Sequence, residues 1–437
     1  MSAAVSRAAV HVVLDPGVPA YGRKGGSVHV QEVLRRLVAR SGGAHVHLVA
    51  ARRGGQVPAG LEGVVVHELG RPRAERPAAA ERALTALDER AAHLVADLVE
   101  DLRDVPGTTG PPLVYQRYGL WSARTLERAR AAGATTVLEV NAPLVDEQAR
   151  HRVLVDAEGA VALSRRALRA AHSVVAVSDA VATWARGLSG VPVTVVPNGV
   201  DADRFARAVG SGAAPGTPLT VGFVGTFRPW HGLGLLVDAA AALAGTPDAV
   251  RLLLVGDGPT RAQVLARAAA AGVDVVAPGA VAPAEVPGLL AGCDVAVAPY
   301  PAGEAYFSPL KVVEYLAAGL PVVVSAVADV PRLLHDGREV LLVPPGDVDA
   351  LAGALRRLVR DRALRARLAA AGRAAATSRF SWDDVVARTL AGADAARAAV
   401  PGTASGTADA PDDATADDTA VRPAPDGLVT PLAGSPA

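Results

Sequence analysis

Leu219-Thr-Val-Gly-Phe-Val224, running directly into Gly225-Thr-Phe-Arg-Pro-Trp-His-Gly232, decides the fold. Six residues rich in apolar and β-branched side chains, stopped by a glycine-marked loop, read as a buried strand that delivers its loop to one edge of a sheet. The unit recurs towards the C-terminus. Strands at 251–255 and 294–298 end on Gly256-Asp-Gly-Pro259 and on the stretch 300–311, and a further strand at 321–324 follows, with Ala/Leu/Arg helices between them. It recurs towards the N-terminus as well, at 10–14, 45–50, 113–116, 136–140, 173–177 and 193–196; Val30, Val33, Leu34, Leu37 and Val38 follow the first of these at helical spacing. Strand and helix in alternation is the rhythm of a parallel sheet wrapped by helices, here in two sets. Between the sets, residues 208–218 are almost entirely Ala, Gly, Ser and Pro and hold no packed element. The expected architecture is two α/β domains facing a cleft: residues 1–206, a linker at 207–218, a second domain at 219–380, a helix at 381–399 packing back toward the first domain, and a disordered tail at 400–437.

Composition narrows the function classes. A length of 437 residues suits two large domains, and half of the residues are hydrophobic, enough for two cores. The 44 basic and 44 acidic residues cancel, so bulk electrostatics give no reason to expect a nucleic-acid partner. Arg71, Arg73 and Arg76 form a local basic cluster that reads as a solvated face, with peripheral membrane contact left open. Cys293 is the single cysteine, which rules out an internal disulfide and suits a reducing compartment. The N-terminus runs straight into a strand without a signal-like apolar core, and no run of eighteen uninterrupted apolar residues follows. A cytoplasmic location is expected; the oligomeric state is not legible.

Ligands of open parallel sheets bind beyond the carboxyl ends of the strands, so the loops after each strand are the ones that matter. Only two of the 44 basic residues are lysine, Lys24 and Lys311, and both stand where a loop enters a helix. A compact ammonium is a common partner of phosphate. In Tyr306-Phe-Ser-Pro-Leu-Lys-Val-Val-Glu314, Ser308 is expected to cap a helix and Pro309 to be its first residue. The amides of Leu310 and Lys311 would then face outward with the positive end of the helix dipole, an anion site to which Lys311 adds a full charge. Glu314, one turn on, is placed to accept two vicinal hydroxyls; the competing reading is a Lys311–Glu314 surface pair of a few tenths of a kcal/mol. Asp201-Ala-Asp203 and Asp347-Val-Asp349 have the spacing of a metal-binding pair, but the second follows Pro344-Pro-Gly346 and reads as a helix cap and first turn, so no metal is assigned. A nicotinamide-dependent oxidoreductase would require G-x-G-x-x-G with an acidic residue about twenty positions on, and no loop supplies both.

With Gly25-Gly-Ser-Val-His29, Val196-Pro-Asn-Gly-Val-Asp201, the Gly225 loop, Gly256-Asp-Gly and the stretch 308–321 in this order, the chain resembles the retaining, sugar-nucleotide-dependent glycosyltransferases of family 4 up to about residue 395. The resemblance implies the GT-B fold, two facing Rossmann-like domains with a deep cleft. It further implies transfer of a hexose from a nucleoside-diphosphate sugar, as co-substrate, to a hydroxyl acceptor without a metal. Glu314 corresponds to the second glutamate of the E-x7-E motif and would hold the donor ribose. The backbone of Phe307, Ser308, Pro309 and Leu310 would face the diphosphate and donor sugar, with Gly256 nearby, and Gly25 and Gly26 would approach the diphosphate from the first domain. Three departures mark a branch. Tyr306 stands at the first motif glutamate, Thr226 and His231 stand at the usual phosphate-binding Arg and Lys, and the first domain lacks the usual histidine near 138–143. Arg228 and Lys311 would restore the missing charge. Glu139, Asn141 and Glu147 are candidates for sugar contacts or equally for a turn and a cap; Tyr118 and Trp121 either stack on a sugar or pack on the next helix. Tyr306 also keeps open a non-catalytic sugar-nucleotide-binding protein on the same fold.

Overall fold

The computed structural model describes residues 6–42, 45–205, 217–303 and 309–399. The expected linker between 207 and 216, and the expected tail from 400, lie outside the described residues. The first sheet contains β1 (Ala9–Val13), β2 (Val46–Ala50), β3 (Val65–Glu68), β4 (Leu113–Arg117), β5 (Thr135–Val140), β6 (Ser173–Ala176) and β7 (Val193–Val195), in the order β3-β2-β1-β4-β5-β6-β7. The second contains β8 (Leu219–Val224), β9 (Val250–Val255), β10 (Val275–Gly279), β11 (Val295–Ala298), β12 (Val322–Ser325) and β13 (Leu341–Val343), in the order β10-β9-β8-β11-β12-β13. Every pairing in both is parallel. This is the doubly wound architecture expected from the strand and helix alternation. In each sheet the strand order reverses beside the first strand, between β1 and β4 and between β8 and β11, and in open parallel sheets such a switch point is where ligands bind beyond the carboxyl ends.

The central strands match the apolar runs to within a residue or two, because a strand covered on both faces reads as continuous hydrophobicity. β3, β10 and β13 were not legible that way. All three are edge strands: β3 and β10 are half solvated, with Val65 and Val276 48% and 46% exposed, which breaks the run, and β13 is buried but only three residues long.

The final helix, Trp382–Ala398, lies on the first sheet although it follows the second. Trp382, Val385, Val386 and Ala393 join Val30, Val33, Leu34, Tyr115 and Val137 in one core. Ser381 caps it by accepting from the Asp384 amide at 3.1 Å. Two crossings of the chain between the sheets run side by side, tied by Val200 N–H to the Phe380 carbonyl at 2.7 Å and Trp382 N–H to the Val200 carbonyl at 3.4 Å.

Asp347 is the N-cap of the helix Val348–Arg360 and accepts from the Ala350 amide at 2.8 Å. Asp347→Ala is therefore expected to lower stability by about 1 kcal/mol in urea unfolding without changing ligand affinity. Unchanged stability with a loss of affinity would return this aspartate to a ligand role.

Candidate functional site

The corner between β8 and β11 is built by one short helix and two glycine-ended loops. The helix Leu310–Ala317 buries Val312, Val313, Tyr315, Leu316 and Ala317. The Tyr315 hydroxyl accepts from the Val224 amide at 2.9 Å and donates to the Val224 carbonyl at 3.2 Å, which fastens the helix to the end of β8. The remaining stripe carries Leu310, Lys311 and Glu314, all partly buried. Pro309 is the N-cap and not the first helical residue, because its ψ of 56° is outside the helical range; its carbonyl accepts from Val313 N–H at 3.2 Å. The amides of Leu310 and Lys311 thus lie in the first turn, where no intrahelical acceptor is in reach. Ser308 and Phe307, expected as cap and backbone contact, lie with Tyr306 outside the described residues.

Lys311 reaches across to the β8 loop. Its Nζ is 2.9 Å from His231 Nε2 and 5.7 Å from the centre of the Phe223 ring. His231 Nδ1 meets the Thr226 carbonyl, so Nδ1–H donates there and the Nε2 lone pair accepts from the ammonium. Burial, then Lys311, and then Arg228 push the imidazole down to about 4, which keeps it neutral and an acceptor. Burial also brings the Lys311 amine down to about 8, with Glu314 pulling the other way. The Glu314 carboxyl is raised by burial, an effect that Arg204 and Lys311 oppose. A lysine with a lowered pKa and a glutamate with a raised one, a turn apart, form an ionisable pair whose desolvation is incompletely repaid within the protein.

Glycine shapes the corner for a reason the sequence did not show. At Gly225, with φ 155°, a side chain would lie 2.6 Å from Lys311 Cε. At Gly256, with φ 133°, it would overlap the Gly225 carbonyl oxygen. These glycines let the loops pack on each other and on Lys311; the group next to Gly256 is protein. Arg228 is exposed and stacks over exposed Trp230 at 5.5 Å, so of the two candidate cations it is Lys311 that the corner encloses. In the first lobe Gly25 and Gly26 open the helix Gly25–Arg40, beyond the end of β1, with exposed Lys24 as its N-cap.

For Glu139, Tyr118 and Trp121 the structure favours the packing reading over the ligand one. Glu139 is 4% exposed and hydrogen-bonded to His29 Nε2 at 2.8 Å, so it is enclosed by protein. Tyr118 is buried with its hydroxyl 2.6 Å from Ser164 Oγ, and Trp121, at φ 72°, packs with Val145 and Ala160; neither presents a stacking face. Glu147 lies in the first turn of the helix Leu144–His151, and Asn141 follows β5 with its Nδ2 buried and unpartnered. Cys293 is buried and its thiol is pushed up to about 12, which makes it inert. The buried set around His29 and Glu139 was missed. The usable signal was polar Ser27, Gln31 and Glu32 on a helix stripe that has to face a sheet.

Residues 23–204 match the family model described as Glycosyltransferase Family 4, and residues 218–361 the one described as Glycosyl transferases group 1. One match falls on each sheet. The phosphatidyl-myo-inositol mannosyltransferase of Mycobacterium leprae is 35% identical over 217 residues, 49% of this chain and 57% of that protein. The GDP-mannose-dependent alpha-(1-6)-phosphatidylinositol monomannoside mannosyltransferase of Mycobacterium tuberculosis is 31% identical over 217 residues, 46% of this chain and 56% of that protein. The chain thus spans little more than half the length of these curated relatives. The solved sucrose-phosphate synthase of Thermosynechococcus elongatus superposes with a TM-score of 0.66 at 22% identity, over 90% of this chain and 100% of that one, which shows a shared fold. Among the described residues no helix is long and apolar enough to cross a membrane.

Proposed function

The chain being a family-4-like glycosyltransferase of two-lobed GT-B architecture, we propose that it moves a hexose from a nucleoside-diphosphate sugar to a hydroxyl acceptor with retention at the anomeric carbon. The observation that carries this reading is the meeting of Lys311, from the helix after β11, with the β8 loop at His231, 2.9 Å apart, beside the point where the strand order reverses. A diphosphate there would meet the amides of Leu310 and Lys311, the helix dipole and the Lys311 charge together. Glu314, one turn along, would take the ribose hydroxyls. The GDP-mannose dependence named for one relative makes GDP the first base to try.

Retention by double displacement uses two carboxylates roughly 5 Å apart. The groups this corner offers are mostly cations and amides, and they favour a same-face displacement. The bond from the anomeric carbon to the diphosphate oxygen breaks, the acceptor oxygen bonds to the same face, and its proton passes to the departing diphosphate. Lys311 and the helix start stabilise the charge that develops on that leaving group. The acceptor hydroxyl would be presented from the first lobe, and water would be excluded as the lobes close.

The test is a melting-temperature screen with GDP, UDP and ADP followed by a transfer assay with the matching sugar donor. One diphosphate is expected to raise the midpoint by a few degrees at a hundredfold excess over Kd. No response to any of the three would refute the reading; binding without transfer or donor hydrolysis would make the chain a non-catalytic sugar-nucleotide binder.

A further inference from the structure

Beneath its first helix the first lobe buries a cluster of polar and ionisable side chains. His11, on β1, is fully buried, with Nδ1 at 2.8 Å from the Tyr115 carbonyl and Nε2 unpartnered. Glu139, on β5, pairs with His29 of the helix Gly25–Arg40 and takes a hydrogen bond from Tyr115. The His29 ring in turn stands edge-on to Trp382, 4.8 Å away. Burial alone would push the Glu139 carboxyl up, yet His29, Arg117 and His11 outweigh it and hold it at about 2. Glu139 is therefore an anion, and its neighbour in register across β4 is Arg117.

Arg117 is the last residue of β4, at the point where the first sheet reverses its order. It is partly buried, and its Nη1 is sealed from solvent without a hydrogen-bond partner. Its Nη2 lies 3.7 Å from where a side chain would start at Gly26, so the absent side chain leaves the guanidinium beside the first turn of a sixteen-residue helix. The next residue, Ser27, is 1% exposed, and its Oγ is also unpartnered. The Arg117 Nη1 donor, the Ser27 hydroxyl and the free amides of Gly25 and Gly26 are donors near one helix start that find no acceptor among the described residues. An anion completes it.

We propose that Arg117 is a contact of the first lobe for the donor's diphosphate, biased toward the helix start by the neighbouring charge of Glu139, which His29 in turn fixes. The Glu139 anion, in register with Arg117 and fixed by His29, acts on the guanidinium by charge and not by a hydrogen bond, while the guanidinium and the Gly25 and Gly26 amides meet the phosphate oxygens. This rests on the proposed function, and it assigns the first lobe a charged role in gripping the leaving group.

The experiment measures Kd for the nucleoside diphosphate that stabilises the wild type and for the corresponding free nucleoside, in wild type, Arg117→Gln and Arg117→Lys. Arg117→Gln is expected to weaken diphosphate binding at least tenfold and leave nucleoside binding within twofold, with Arg117→Lys recovering part of the loss. A parallel loss for both ligands would mean a structural role and would overturn the proposal, as would a Gln variant that binds the diphosphate within twofold of wild type. If the Gln variant does not fold, Arg117→Lys carries the same comparison: a severalfold loss for the diphosphate alone supports the contact, and unchanged binding removes it. A wild type that binds no nucleoside diphosphate defeats the proposed function along with this contact, whereas wild-type binding matched by the variants defeats the contact alone.

Discussion

Glu314→Ala is expected to lower kcat/KM for the donor about a thousandfold while the protein stays folded. Burial raises the Glu314 carboxyl, and among the described residues its oxygens accept no hydrogen bond, so the ionised form is held in the fold at a cost. Two ribose hydroxyls would relieve that cost with two charge-assisted hydrogen bonds, each of about 1.5–3 kcal/mol. Losing both is on the order of 4 kcal/mol, or three decades in rate. Stability moves the other way or not at all. A carboxyl whose folded pKa is raised destabilises the native state when ionised, so removing it leaves the melting temperature at neutral pH equal to or slightly above wild type. Steady-state kinetics and a thermal melt on the same preparation check both halves. A folded variant with near-normal kcat/KM would remove Glu314 from the site.

Lys311→Met comes next, with an expected fall in kcat of about a hundred- to a thousandfold, the usual loss when one preorganised charge partner of a leaving group is removed. The wild-type pH profile gives the more specific signature. With the amine at about 8, Lys311 loses its charge as pH rises through that value, so kcat/KM should fall above pH 8 with a slope approaching tenfold per unit. A bound diphosphate favours the charged form, so kcat itself should hold to higher pH. Lys311→Arg, which stays protonated, should flatten the limb. Stability follows the opposite sign. The unfolded chain binds a proton at 311 that the native state releases between about 8 and the ordinary 10.5, so this group adds stability over that interval while activity declines. A kcat/KM profile that stays level from pH 6 to 10 would show that the Lys311 charge is not used.

The alternation of strands and helices was legible because it is local. A strand covered on both faces has to be apolar along its length, and a helix against it has to carry a stripe, whatever the partner. The helix at Leu310–Ala317 with Lys311 and Glu314 on one stripe was legible for the same reason, since three residues make nearly a turn. Its start was misplaced by one residue because proline fixes φ but leaves ψ open, and at Pro309 ψ is not helical.

By itself, then, the sequence determined two parallel α/β units and a cation and a carboxylate at the start of one helix. Which side chains would be walled in was decided only by the tertiary structure. Glu139 looked as available as Asn141 until a helix 110 residues earlier in the chain brought His29 down on it. His231 looked like a substitute phosphate ligand until Lys311, 80 residues on, arrived at its Nε2. Local patterning sets which residues share a face. The desolvation and pairing that turn a residue into core, support or ligand contact depend on what packs over that face, and those partners come from far along the chain.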